Sequence, residues 1–287
     1  MNLDAAIRFV HTSGRLLERH RLAHLRSGGD PEPVVQTLRA YRNADGGFGH
    51  GIEPDLRAPD SQPVGIHTAM EILHEVGVAD DPMIRPAADW LATITRRDGS
   101  VPFCLPSVLD HPHNPIWQPA DESSVIQTAA NAAALYALGV EHPWLDGAAE
   151  FLFGRIDDIV RAAAEPDAGV GYEVRFTTLF LNAHPDEDRA AQALDRLAPV
   201  IGDVVALDPA DGGDVQTPLD LAPYPGDRAR RLFDQVTIDA HLDALDAAQH
   251  DDGGWMFGWD QWNPAATLEW RGVLTVGALR VLRANHR

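Results

Sequence analysis

The segment Gln249-His250-Asp251-Asp252-Gly253-Gly254-Trp255 constrains this chain more than any other, because its core recurs. Arg42-Asn43-Ala44-Asp45-Gly46-Gly47-Phe48 keeps Asp-Gly-Gly-aromatic in the same frame, and Arg97-Asp98-Gly99-Ser100 keeps Asp-Gly. Aspartate folds back onto nearby backbone amides, and glycine accepts the left-handed conformation that ends a helix, so each copy reads as a helix stop followed by a turn. Repeated punctuation of this kind points to stacked helix pairs.

The stretches between the turns agree with that reading. Leu3, Ile7, Val10, Gly14 and Leu17 recur at helical spacing and continue through Leu22 and Leu25, which predicts one amphipathic helix up to Gly28-Gly29. Further helices are expected over 31–42, 62–77, 82–96, 122–138, 143–164, 186–201, 228–249 and 264–283. The mixed apolar stretch 172–183 is assigned to helix because its neighbours are helices. Between 208 and 226, Pro209, Pro218, Pro223 and Pro225 argue against regular structure.

No period-two run is long enough to demand a sheet. Helix pairs joined by Gly/Pro loops either stack into an open solenoid or close into a ring. The first and last helices are both amphipathic, and neither resembles a polar terminal cap, so closure is expected. The expected fold is all-α, an α/α toroid of about ten to twelve helices, with residues 1–287 forming a single domain.

Composition excludes several chemistries. The net charge is −20, and all 23 basic residues are arginine. Without lysine there is no Schiff base, no pyridoxal-phosphate anchor and no P-loop. A broadly acidic surface makes nucleic acid an unsuitable partner, since phosphate neutralisation needs a basic patch. Cys104 is the only cysteine, so an intrachain disulfide and cysteine-rich metal sites fall away, while oxygen and nitrogen ligands for Mg or Zn stay open. No apolar run approaches the ~20 residues of a membrane span. Residues 1–27 mix apolar with charged positions and do not read as a signal peptide, so a cytoplasmic location is expected.

The glutamine-to-tryptophan turn, its Asp-Gly-Gly-aromatic echo and the paired helices together resemble the repeat of the terpenoid cyclase and protein prenyltransferase superfamily, whose domains are α/α toroids. Gln249 to Trp255 fits the family's glutamine–tryptophan motif. At the first echo Arg42 and Phe48 replace glutamine and tryptophan, and the second has Ser100. In the family this motif joins helices, so the resemblance implies a fold before it implies an activity. The family's catalytic signatures are missing. There is no Asp-X-Asp-Asp tetrad, Asp157-Asp158 is followed by Ile159, Val160 and Arg161, and Cys104 has Pro102 where prenyltransferases carry a zinc-binding aspartate.

Directly after the first echo, His50-Gly51-Ile52-Glu53-Pro54-Asp55 is the densest run of catalytically useful groups, with Arg57, Asp60 and His67 close behind. Two carboxylates with nearby histidines could supply an acid and a base or bind a metal; the alternative is a turn-rich loop of caps and solvated histidines. Asp45, Glu53, Asp55 and His67 are the catalytic candidates. Phe48, His50, Arg57, Trp255, Trp259, Glu269 and Arg271 are the substrate-binding candidates, the last four because aromatics beside an ion pair could wall an apolar pocket. Packing aromatics and a surface ion pair are the other reading of that region. In the segment Asp110-His111-Pro112-His113, with Trp117, Asp121 and Glu122, His111 and His113 could chelate a metal, but the proline between them and the lack of an obvious third ligand favour a solvent loop, with Asp121 or Ser123 capping the next helix.

The resemblance implies an enzyme acting on an isoprenoid or other apolar small molecule by acid/base chemistry in a central cavity. A carbohydrate-active α/α toroid using paired carboxylates and a non-catalytic ligand-binding toroid are the alternatives. Substrate, cofactor and oligomeric state are left open.

Overall fold

A computed structural model describes residues 1–165, 169–211 and 213–287. In chain order the helices are α1 (Leu3–Ser13), α2 (Leu16–Ser27), α3 (Glu32–Arg39), α4 (Pro63–Glu75), α5 (Ile84–Thr93), α6 (Val125–Ala137) and α7 (Pro143–Ala163). There follow α8 (Gly171–Ala183), α9 (Glu187–Leu197), α10 (Ile201–Val204), α11 (Pro218–Leu221), α12 (Gln235–Ala247) and α13 (Pro264–Ala284). Among the described residues β-pairing is confined to isolated bridges at Arg42–Phe48, Leu56–His113 and Val101–Ser124. No helix among them is long and apolar enough to cross a membrane. The chain divides into two compact units, Met1–Ala40 with Ala206–Arg287, and Tyr41–Val205.

In the first unit, the helix expected over residues 3–27 is two helices. The chain turns extended at Gly14 (ψ 153°), whose N–H still donates to Val10 O. A Cβ on Gly272 of α13 would lie 3.2 Å from Gly14 Cα, so two backbones approach closely there and a larger residue would crowd them. Phe9, Val10, Leu22, Ile238, Leu242, Trp255, Val276 and Leu279 form the core beneath. The helix expected over 228–249 is also interrupted. A 3-10 turn, Arg228–Leu232, precedes an extended Asp234, whose carboxylate accepts the Thr237 N–H at 2.7 Å and starts α12 afresh. Inside the proline-rich stretch 208–226, where irregular structure is expected, the short α11 starts at Pro218. Asp220 there accepts both the N–H and the hydroxyl of Thr217.

In the second unit, α6 carries buried Ala129, Ala130, Ala132, Ala133 and Ala134. Small side chains let α4 and α8 pack against it at short range. Ser124 caps α6 by accepting the Gln127 N–H, in place of Asp121 or Ser123. The stretch 172–183 is helical as expected. Phe153 of α7, Phe180 of α8 and His184 meet edge to face at 5.0–5.3 Å, with the Arg189 guanidinium over Phe153. The helix expected over 186–201 ends at Leu197, because Pro199 has no N–H to continue it.

Candidate active site

The three Asp-Gly turns share one hydrogen-bond pattern. Gly46, Gly99 and Gly253 donate to Asn43, Arg96 and His250 O, while the N–H groups of those same residues donate to Gly47, Ser100 and Gly254 O. In each, the aspartate accepts the N–H two residues on, at 2.9–3.1 Å. The central glycine has φ between 90° and 96°, and a Cβ there would strike backbone oxygen of a neighbouring helix: Pro86 O, Gly147 O or Ala5 O at 2.2–2.6 Å. The second carboxylate function ties the turn sideways. Asp45 accepts from Ser61 Oγ and Trp90 Nε1, Asp98 from Ser123 Oγ, and Asp252 from both Nη atoms of Arg271. Gln249 adds a clamp, donating to Asn2 O and Gly253 O and accepting the Asn2 N–H, which fastens its turn to the start of α1.

The turn at Asp45 opens the loop that sequence singled out. His50 sits at φ 56° with its ring Nε2 2.9 Å from Asn43 Oδ1, and the His50 N–H donates to Ala58 O. The loop thereby folds back on itself. Glu53 and Asp55 are only 7% and 6% exposed. Asn114 binds Asp55 twice, N–H to the backbone O at 2.8 Å and Nδ2 to Oδ2 at 3.3 Å, and the Arg57 N–H donates to Pro112 O. The segment 110–114 is thus the lid of the acidic loop, with His113 held by His111 O. Phe48 is fully buried and borders, with Ile52, Glu53, Leu56, Gln62 and Val64, a void of about 10 Å³. Such a space holds one water molecule at most. Among the described residues no three His, Cys, Asp or Glu side chains are disposed to hold a metal ion.

His67 lies on α4 in a separate polar cluster. Burial pushes its pKa down; Glu71, one turn on, and Gln127 of α6 oppose this, and Arg175 of α8 adds to it. The ring faces Phe176 at 6.0 Å, and Arg175 lies over that phenyl at 5.3 Å. Gln127 and Asn131 are 2% and 0% exposed, and their amide oxygens, like His67 Nδ1, have no partner at hydrogen-bonding geometry. Glu173 at the start of α8 is a further carboxyl that burial pushes up. Sequence reasoning missed Glu71, Gln127, Glu173 and Arg175. The four-residue spacings His67/Glu71 and Gln127/Asn131 were the available signal, since such pairs share a helix face.

In the first unit, Trp255 is a core residue whose indole donates to Leu245 O at 2.8 Å. Arg271 is held by Asp252, by Trp255 O and by the face of Phe9. Glu269 lies 3.8 Å from Arg15, which chelates the fully buried Glu18. Trp259 is half-buried, stacked on Phe257 at 4.4 Å and edge-on to Trp270 at 5.3 Å.

No protein-family model matches the chain, and no curated protein matches it. Solved structures do. A protein from Actinoplanes aligns over 99% of this chain and 98% of its own at 15% identity, with a TM-score of 0.62. A type II terpene cyclase from Scytonema, solved in complex with its substrate geranylgeranyl dihydroxybenzoate, aligns over 98% and 96% at 13% identity, with a TM-score of 0.51. At such identity the likeness is one of fold. The chain has the terpene cyclase-like all-α fold, the α/α-toroid class expected from its turns.

Proposed function

We propose that the chain is an enzyme acting on an isoprenoid or other apolar small molecule by acid/base chemistry, with Glu53 and Asp55 as the proton-handling groups and residues 1–287 acting as one domain. The burial of these two carboxyls within three residues of one another carries the reading. Withdrawing a carboxyl from water is costly unless the surroundings compensate it, and here a loop and its lid are folded to do so. The fold shared with a terpene cyclase supports an apolar substrate.

Asp45 has both oxygens engaged at the base of the loop and serves to position it. The void beside Glu53 suits a water-sized proton carrier, and a prenyl chain must lie elsewhere. His67, held toward its neutral form, is the second proton-accepting centre. His50 and Arg57 are the groups proposed to meet substrate.

The test is incubation of the purified chain with prenyl diphosphates and with linear and cyclic terpenoids, products being read by mass spectrometry. Turnover by the parent, falling at least a hundredfold in Glu53→Gln or Asp55→Asn, is the expected result. Absence of both turnover and thermal stabilisation across the panel, or full activity in both variants, would overturn it.

A further inference from the structure

Within the unit Met1–Ala40 with Ala206–Arg287, a cavity of about 280 Å³ opens where α12 begins and α13 ends. Phe233, Ile238 and Leu242 make its apolar side, the last two only 1% and 2% exposed. Arg230, Asp239 and Asn285 make its polar side. The volume is close to the ~300 Å³ at which small-molecule pockets begin.

Arg230 is fixed before any ligand arrives. Its Nη2 donates to Pro223 O at 3.0 Å and to Asn285 Oδ1 at 2.7 Å, and Asn285 is itself pinned by donating to Pro223 O and Val281 O. Both Nη2 hydrogens are thereby used. Nε is buried without a partner, and Nη1 has no hydrogen-bond partner among the described residues. Two carboxylates approach this guanidinium, and each is otherwise engaged. Asp239 is paired with Arg287 at 3.2 Å and accepts from Gln235, while Asp227 accepts the Tyr224 N–H and is pushed toward its neutral form by burial. Nε is closed off by its burial, so Nη1 is the donor left to this preorganised cation, which lines the cavity opposite hydrocarbon.

We propose that this pocket binds a small apolar carboxylate, its oxygens on Arg230 and its hydrocarbon body against Phe233, Ile238 and Leu242. At the ~30 Å³ that a water occupies in the liquid, the cavity admits about nine non-hydrogen atoms, the size of benzoate or hexanoate. Salt screens exposed charges beyond ~10 Å, so most of the chain's net charge of −20 acts only weakly on an anion at this site. The site is independent of the acid/base reading of Glu53 and Asp55.

Titration calorimetry on the full chain tests it, with benzoate and hexanoate as probes, 1-hexanol as the uncharged control and inorganic phosphate as the anion without a hydrocarbon body. Saturable binding of both carboxylates is expected, at least tenfold tighter than hexanol or phosphate, and unchanged in Glu53→Gln. Arg230→Gln should weaken the carboxylates at least tenfold and leave hexanol alone. Because Arg230 also ties Pro223 to Asn285, Gln235→Trp is the companion variant. This residue is exposed at the rim, so the indole should obstruct entry while the circular-dichroism melt stays that of the parent. Lack of saturable binding at millimolar carboxylate, equal binding of hexanol or phosphate, or parent-like binding in both variants would refute the assignment.

Discussion

The indole Nε1 of Trp90 donates to Asp45 Oδ2 at 3.0 Å, which fastens the first Asp-Gly turn to the middle of α5. Ser61 Oγ and the Gly47 N–H take the other oxygen of the same carboxylate. Asp45→Ala removes three accepted bonds at once and strands the donors of Trp90 and Ser61, both buried. Hydrogen bonds to charged groups contribute ~1.5–3 kcal/mol each, but Asp45 itself is exposed and water can replace part of what is lost. A loss of about 2 kcal/mol in urea unfolding is expected, with Asp45→Asn falling between. If Asp45 handled protons instead, the alanine variant would keep the parent's midpoint and lose turnover.

Gly253 stands at φ 96°, and a Cβ there would sit 2.2 Å from Ala5 O, a backbone atom of α1 that cannot swing away. Gly28, at φ 60°, has open space around the same position. Both alanine substitutions incur the ~1 kcal/mol of left-handed backbone, but only Gly253→Ala forces α1 off its turn. Gly253→Ala should cost roughly 3 kcal/mol or more and Gly28→Ala about 1 kcal/mol. Thermal melts of the two variants side by side read the difference; equal shifts would mean the close approach has no energetic weight.

These turns also show what the sequence made legible. Asp-Gly pairs carry their geometry locally, through one side-chain acceptor and one left-handed residue, so both the stops and the all-helical class could be read from them. Where the chain breaks inside a periodic run, the pattern misled. Leu3 to Leu25 is periodic throughout, yet the chain turns extended at Gly14, where Gly272, far along the chain, comes close. The candidate loop was found because its carboxylates crowd together in sequence, and the segment from Pro112 to Asn114 was read as solvent loop because it joins residues 55–57 mainly through backbone bonds, Asn114 Nδ2 adding one side-chain bond to Asp55. The His67 cluster draws on three helices, and single-helix spacing shows only its halves.

The Asp252–Arg271 pair predicts an acid dependence. Two short bonds from Arg271 hold the Asp252 carboxyl below the usual carboxylate range. A carboxyl depressed in the folded state contributes stability that is complete above its unfolded pKa of about 3.9 and disappears as pH falls through the lower folded value. Asp252 is half exposed, so solvent screening keeps the coupling to roughly 0.5–1 kcal/mol. A double-mutant cycle of Asp252→Asn and Arg271→Gln should give that coupling at pH 7 and a coupling that shrinks progressively as pH falls below about 3.9. Coupling that persists in acid would assign the effect to packing of Arg271 on Phe9 instead.

Cys104 gives a readout of how tightly the second unit is closed. Its side chain is buried beside Leu56, Val108 and Trp117, and burial pushes the thiol up to about 11. At pH 8 only about one thiol in a thousand would then be ionised, and the thiolate is the reactive species. A water-soluble disulfide reagent should leave the native chain unlabelled over the time in which guanidinium-unfolded chain reacts with one equivalent. Phe103 stacks on Trp117 at 4.9 Å beside the thiol, so Trp117→Ala should open a path and speed labelling by at least tenfold. Rapid labelling of the unsubstituted protein would show that the packing around Leu56 and Cys104 opens readily. Glu53 and Asp55, in the same loop as Leu56, would then be reached by water as well.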